Sequence, residues 1–475
     1  MAQDDTIERI DSGSHDTTDG LVDNPNKNAE MIKAATLPTL VENLTRHDKL
    51  DAAFNRTFLV TYSYFTSGSE LLGLLVDRFD NTPPPTTNPA EIEQWSTQTQ
   101  PLIRLRVVNI LRQWLEHFWG EPKGDDTDQL LREMRLFVER VTSTTDTPTQ
   151  QLDTIIQRRL AGQPYTKRSH PSISNPPKPI LPRKLDKLQL IKIDPKEIAR
   201  QLTIMESQMF NRVQREELLR KNWQKKATPE FAPNVRSLIR HSNQLSNWVC
   251  ATVLAEADLK KRAQVVDHLV NVASNCHQLQ NYSAVISILS GLESAPIYRL
   301  ARTWAMVTER SCNMLRPLQA MILSAQNYQA YRETLRVAVP PCIPFLGQFE
   351  LHSFRENELT HITGLFLKDL TFIEDGNPAL TAEGLINFHK YTMLATTVHD
   401  VLRWKEAPYC LQPVPELQDY FSNELRSAVE LHEMWDKSCA LEPKGRGLGN
   451  RPRDLYTPTG GMSASMVVAC MVLDD

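Results

Sequence analysis

Apolar residues recur every third or fourth position through most of this chain. From Ala29 onward, Ile32, Ala35, Leu37, Leu40, Val41 and Leu44, then Leu50, Ala53, Phe54, Phe58, Leu59 and Tyr62, keep that spacing. It is the period of amphipathic helices. Runs at 71–79, 102–118 and 130–141 continue it, and the breaker TPPPTTNP at 82–89 separates two of them. The pattern predicts a small helical domain over 29–145. A second, longer series opens at Asp194, which can cap a helix. Pro195 suits the first helical position, and Glu197 lies three residues after the cap, as in a capping box. Helical runs then follow at 235–255, 262–279, 283–292, 314–323, 328–337, 382–404 and 416–435. Strand-like alternation is weak, so the fold class is mainly α, with a second domain over 194–442.

Between and beyond these domains the texture changes. Residues 1–28 are polar and acidic and read as disordered. Residues 146–193 read as a linker, proline-rich at 164–183, and 443–475 as a disordered tail. Within the linker, Pro179-Ile180-Leu181-Pro182-Arg183-Lys184 fits a PxxPx(K/R) ligand for an SH3 groove; a plain spacer is the alternative.

Composition narrows the classes. With 475 residues, 41% of them hydrophobic, the chain can build more than one core. A net charge of -4 gives no general attraction to nucleic acid or to anionic lipid. The cysteines at 250, 276, 312, 342, 410, 439 and 470 are scattered and include no Cys-x-x-Cys pair, which fits a reducing compartment better than disulfides or zinc. The acidic start lacks the apolar core of a signal peptide, and no apolar run would span a membrane. A cytoplasmic protein is expected.

Catalytic constellations are missing from the sequence. It contains no GxxxxGK(S/T), HExxH or GxSxG, and Gly445-Arg446-Gly447-Leu448-Gly449 follows no strand. His389 and His399, ten residues apart, are not spaced as metal ligands on one helix. No cofactor or metal is expected, and the chain reads as one that works by binding another protein.

Several blocks name a family. They include Ser246-Asn247-Trp248-Val249, Asp258-Leu259-Lys260-Lys261-Arg262-Ala263, Leu279-Gln280-Asn281-Tyr282-Ser283-Ala284-Val285, Ser294-Ala295-Pro296-Ile297-Tyr298-Arg299-Leu300 and Leu385-Ile386-Asn387-Phe388. The most telling is split. Pro340-Pro341-Cys342-Ile343-Pro344-Phe345-Leu346-Gly347 is followed, after a gap, by Leu365-Phe366-Leu367-Lys368-Asp369-Leu370-Thr371-Phe372-Ile373-Glu374-Asp375-Gly376-Asn377-Pro378. In this order the blocks resemble the catalytic domain of Ras-family guanine-nucleotide exchange factors. The helices at 29–145 resemble the Ras exchanger motif that accompanies it.

The resemblance implies an activity without covalent chemistry. A helical hairpin, here 365–377 and 382–404, is pushed into the nucleotide site of a Ras-family small GTPase. Thr371 stands where a side chain crowds the magnesium site. Asp375 stands where an acidic residue competes for the GTPase phosphate-loop serine, and Asn377, at the end of the same helix, is a GTPase-binding residue by the same resemblance. Ile286 and Phe345 belong to the apolar pocket that receives a GTPase aromatic residue, or to simple core packing. Arg262 lies at its polar edge, as a partner contact or a structural salt bridge. Glu293 departs from the Asn that the family often has before its Ser-Ala-Pro run; an ionised carboxylate only accepts, which bears on which GTPase is preferred. A Rap-like or Ral-like GTPase, or a non-catalytic adaptor role, are the rival readings. Membrane contact is expected only indirectly, through the lipidated GTPase.

The gap in the split motif, QFELHSFRENELTHITG at 348–364, matches nothing in the family pattern. Its seventeen codons keep the reading frame, and Leu359-Thr360 and Thr363-Gly364 can be encoded by intron-like branch and acceptor sequences. It reads as a retained short intron, with a true insertion as the alternative. Either way it would separate the hairpin from the Pro344-Phe345 floor.

Overall fold

In the computed structural model, the residues described are 7–10, 31–83, 88–121, 124–141, 147–163, 175–322, 328–346, 348–351, 360–363, 365–428 and 431–443. The architecture is mainly α. Along the chain come strands β1 (Ile7–Ile10) and β2 (Met31–Ala35), then helices α1 (Leu37–Leu44), α2 (Ala52–Thr61) and α3 (Gly68–Phe79). Next are α4 (Gln100–Gln113), extended by a π turn over Trp114–Phe118, α5 (Asp125–Val141) and α6 (Thr147–Leu160). The second series holds α7 (Pro195–Arg212), α8 (Pro233–Ala255), α9 (Leu259–Gln278), α10 (Tyr282–Glu293), α11 (Glu309–Ile322) and α12 (Gln329–Val337). Strands β3 (Gln348–Leu351) and β4 (Thr360–Thr363) precede α13 (Leu365–Gly376), α14 (Phe388–Leu402), α15 (Pro415–Ser427) and α16 (Leu431–Leu441).

The helices close into two compact units that do not follow chain order. One holds 1–171, 214–233 and 366–403; the other holds 172–213, 234–365 and 404–475. The hairpin α13–α14 therefore belongs with the amino-terminal helices. The reason is apolar and local to that unit. Phe54 of α2 stacks on Phe388 at 4.8 Å between ring centroids, and Phe65 meets Tyr391 at 5.1 Å. Ala35 and Ile386 exchange backbone bonds, Ala35 N–H donating at 3.2 Å and Ile386 N–H at 2.9 Å. Leu40, Leu59, Leu75, Leu111, Trp114 and Leu131 fill the rest of that core.

In the other unit α9 lies against α7, α10 and α11, burying Leu202, Val266, Leu269, Val272, Val285 and Leu289. Gly291 allows α10 to approach α8, because a Cβ there would meet the Ser246 carbonyl at 2.6 Å. Asn281 caps α10 by accepting from Ala284 N–H at 3.1 Å and donates to Thr203 at 3.1 Å. The following turn pairs with the PPCIPF segment, Tyr282 N–H donating to the Ile343 carbonyl at 3.0 Å. Phe345 N–H donates to the Tyr331 hydroxyl at 2.9 Å. These bonds hold the Pro344-Phe345 floor in place.

Several expectations need correction. Residues 147–160, expected as linker, form α6, because Leu152, Ile155 and Ile156 recur at helical spacing and are buried. Residues 7–10 pair with 31–35 rather than lying free. The second hairpin helix starts at Phe388, not Ala382. Gly384 takes φ +82°, and the Asn387 side chain caps the helix by accepting from Lys390 N–H at 3.2 Å. The 416–435 run is two helices, α15 and α16. The Asp194 cap forms, accepting from Lys196 N–H at 2.9 Å, but Glu197 does not complete a capping box. Its buried carboxylate instead accepts from Ile180 N–H, Arg200 and Gln201. The 348–364 run begins and ends as an antiparallel pair, with Gln348 opposite Thr363. The expected tail beyond 443 lies outside the described residues, as does most of 1–28.

Candidate functional site

The polar end of α13 is built on a helix whose apolar side, Leu367 and Leu370, is buried. Thr371 and Asp375 are four residues apart and so share one helical face. The Thr371 hydroxyl donates to the Leu367 carbonyl at 2.7 Å and accepts from Gln224 Nε2 at 3.2 Å. The Asp375 side chain is 58% exposed and pairs with Lys221 Nζ. Phe372, between them, is 61% exposed. The Asn377 side chain donates to the Ile373 carbonyl at 3.1 Å.

The neighbouring carboxylate has the opposite task. The Glu374 side chain is only 11% exposed, and its Oε2 lies 3.4 Å from Lys390 Nζ. Glu374 Oε1 accepts from the Tyr64 hydroxyl and, at 3.1 Å, from Arg220 N–H. Lys390, itself buried, donates to the carbonyls of Glu374 at 3.0 Å and Asn377 at 2.8 Å, tying the end of α13 to α14. A cation on the last carbonyls of a helix also favours its dipole. Burial, with the adjoining Glu374 carboxylate, raises the Tyr64 phenol pKa, so Tyr64 stays a donor at any working pH. Two consecutive carboxylates are thus separated: Glu374 anchors the hairpin end, and Asp375 is presented. Sequence reading missed Tyr64, Arg220, Lys221, Glu374 and Lys390. Only Glu374 lay within a motif, and none had a local pattern marking its role.

The other candidates lie in the second unit. Ile286 on α10 is 6% exposed and Phe345 is 3% exposed. Arg262 is not at a polar edge. Its side chain is 3% exposed and its guanidinium is fully engaged: Nε donates to Thr303 at 2.8 Å, Nη1 to the Glu256 and Ala257 carbonyls, and Nη2 reaches Glu442 at 3.3 Å. Glu442 also accepts from Arg302 N–H at 2.9 Å, Thr303 N–H at 3.0 Å and the Thr303 hydroxyl at 2.7 Å. The structural salt bridge is the arrangement formed, and it staples the end of α16. Glu293, the last residue of α10, is exposed and accepts from Gln319 Nε2 at 3.0 Å. Among the described residues no group of His, Cys, Asp or Glu is placed to hold a metal ion, and no helix is long and apolar enough to cross a membrane.

A smaller helical motif thus precedes a longer helical series that includes a polar-tipped hairpin. In comparison with known proteins, the RasGEF domain matches residues 197–392 and the RasGEF N-terminal motif matches 31–137. The chain belongs to the Ras guanine-nucleotide exchange factor family. It is 31% identical to Cell division control protein 25 of Candida albicans over 88% of this chain and 30% of that protein. It is 30% identical to Ras guanine nucleotide exchange factor J of Dictyostelium discoideum, over 88% of this chain and 49% of that protein. Identity to Protein son of sevenless of Drosophila melanogaster is 28%, over 87% of this chain and 27% of that protein. The chain therefore spans less than half the length of these relatives.

Proposed function

We propose that this chain accelerates GDP release from a Ras-family small GTPase by inserting the end of α13. The observation that carries the reading is the separation of the two carboxylates, Glu374 committed inward and Asp375 outward on the same helical face as Thr371. A bound nucleotide is held by magnesium and by donors arranged for phosphate. A carboxylate offered where phosphate sat, beside a side chain that crowds the metal, weakens that hold. Each charged hydrogen bond taken from the nucleotide is worth ~1.5–3 kcal/mol, and each ~1.4 kcal/mol off the release barrier gives about tenfold in rate, so a few such bonds supply several decades. Ile286 and Phe345 supply the apolar receptor for the GTPase, and Asp375, Thr371 and Asn377 form the working end.

The test is release of a fluorescent nucleotide from purified Ras, Rap and Ral proteins by the full chain. Replacing Thr371 and Asp375 lowers the release rate more than it lowers GTPase binding. Equal loss of both would make these residues docking contacts rather than the wedge. Unaltered GTPase binding with no acceleration by the unmodified chain would favour the adaptor reading.

The Pro179–Lys184 segment is a weaker partner site. Leu181 is 53% exposed, as an SH3 ligand requires, yet Ile180 N–H donates to Glu197 at 3.0 Å and the Lys178 carbonyl accepts from Arg200 at 3.2 Å. An SH3 domain would compete with these bonds. The chain reaches a membrane surface through its lipidated GTPase partner.

A further inference from the structure

The residues assigned to the wedge are already occupied by the chain's own 219–224 turn. Leu219 and Trp223 are buried and pin the turn at both ends. Between them Arg220 and Lys221 are consecutive non-glycine residues in the left-handed region, with φ of 55° and 51°. Such backbone is unfavourable and persists only where its surroundings fix it. Arg220 supplies the fixing. Its N–H donates to Tyr64 and Glu374, its guanidinium donates to the Ser63 carbonyl, and that group lies 4.8 Å from the centre of the Tyr64 ring. The result carries Lys221 Nζ onto the Asp375 carboxylate and Gln224 Nε2 onto the Thr371 hydroxyl. Both polar wedge groups are thus engaged by one short turn, although they face outward.

We propose that Lys221 and Gln224 form a latch that competes with the GTPase for Asp375 and Thr371. This rests on the exchange reading above. The competition is mild. Lys221 and Asp375 are 32% and 58% exposed, and exposed ion pairs of this kind hold a group by about two- to fivefold at most. Being between exposed charges, the pair also weakens as salt rises. The latch therefore sets a threshold rather than an off state: it is displaced by a partner that offers Asp375 a better donor.

The experiment is nucleotide release from the cognate GTPase, at sub-saturating concentration, by the full chain and its K221A, K221G and K221R variants. Gly adopts φ near +50° without strain, so K221G guards against a folding failure in K221A. At low salt, K221A and K221G release nucleotide about two- to fivefold faster than the unmodified chain, while K221R matches it. At high salt the four converge. Equal or slower release by both K221A and K221G would overturn the latch and make Lys221 a residue that positions Asp375. No release by any of the four would overturn the exchange reading and the latch with it. Release by the unmodified chain without a gain in the variants overturns the latch alone.

Discussion

Removing one oxygen atom isolates the anchor under the polar end of α13. In Tyr64→Phe the ring remains, so its packing on Tyr391 at 5.4 Å and under Arg220 at 4.8 Å is retained. What disappears is the hydroxyl that donates to Glu374 and accepts from Arg220 N–H at 2.6 Å. A hydrogen bond to a charged group is worth ~1.5–3 kcal/mol net. Glu374 keeps Arg220 N–H at 3.1 Å and Lys390 at 3.4 Å, so the cost lies at the lower end. About 1.5 kcal/mol corresponds to roughly tenfold in a rate. The wedge loosens while Ile286 and Phe345, in the other unit, are untouched. Stopped-flow release of labelled GDP across a range of GTPase concentrations should show kcat falling about tenfold with KM nearly unchanged. Because the raised pKa keeps Tyr64 protonated, the ratio to the unmodified chain should hold from neutral to mildly alkaline pH. An unchanged kcat, or a loss expressed wholly in KM, would refute the anchoring role of Tyr64 and Glu374.

Three further outcomes are expected. Glu442→Ala strands the buried Arg262 guanidinium; breaking a buried pair costs about 3–5 kcal/mol, so thermal unfolding of the chain should begin on the order of 10 °C earlier, and an unshifted melt would contradict the staple. Excising 348–364 should leave helicity and melting intact and exchange at or above its original rate. Gln348 and Thr363 are opposed in an antiparallel pair, so the segment leaves and returns at neighbouring points, and a collapsed fold would show the excursion to be structural. Burial holds the imidazoles of His268, His277 and His389 below their ordinary 6.5. The unfolded chain then binds more protons than the folded one below about pH 6.5, so stability falls as pH drops through that point. Melts at pH 7.5 and 5.5 should show this loss reduced in H268Q, and an equal loss in H268Q would exclude His268 as a contributor.

Local pattern and tertiary placement divide what could be read from sequence. Three-four periodicity located α2, α5, α8 and α9 because each buries one continuous stripe, and the ordered blocks from 246 to 388 identified the family. Boundaries were missed where a special residue intervenes, as at Gly384 and Asn387 before α14. The short amphipathic run of α6 was hidden by its polar surroundings. Asp375 and Thr371 could be singled out because they sit within a motif. Their supports could not. Tyr64, Arg220 and Glu374 are separated by more than 150 residues at each step and meet only after the hairpin packs beside the amino-terminal helices. Arg262 shows the converse: a charged residue near a motif suggested a surface, but Glu442, 180 positions away, takes it into the core.

The central claim is that the polar end of α13 drives nucleotide release. Its most direct measurement is the release rate of labelled GDP from a saturating Ras-family GTPase by the full chain and by the Thr371→Ala/Asp375→Ala double variant, with binding followed in parallel. The account predicts acceleration of several decades by the unmodified chain, falling by at least a hundredfold in the variant, with affinity for nucleotide-free GTPase changed by less than about tenfold. Full acceleration retained by the variant would contradict it.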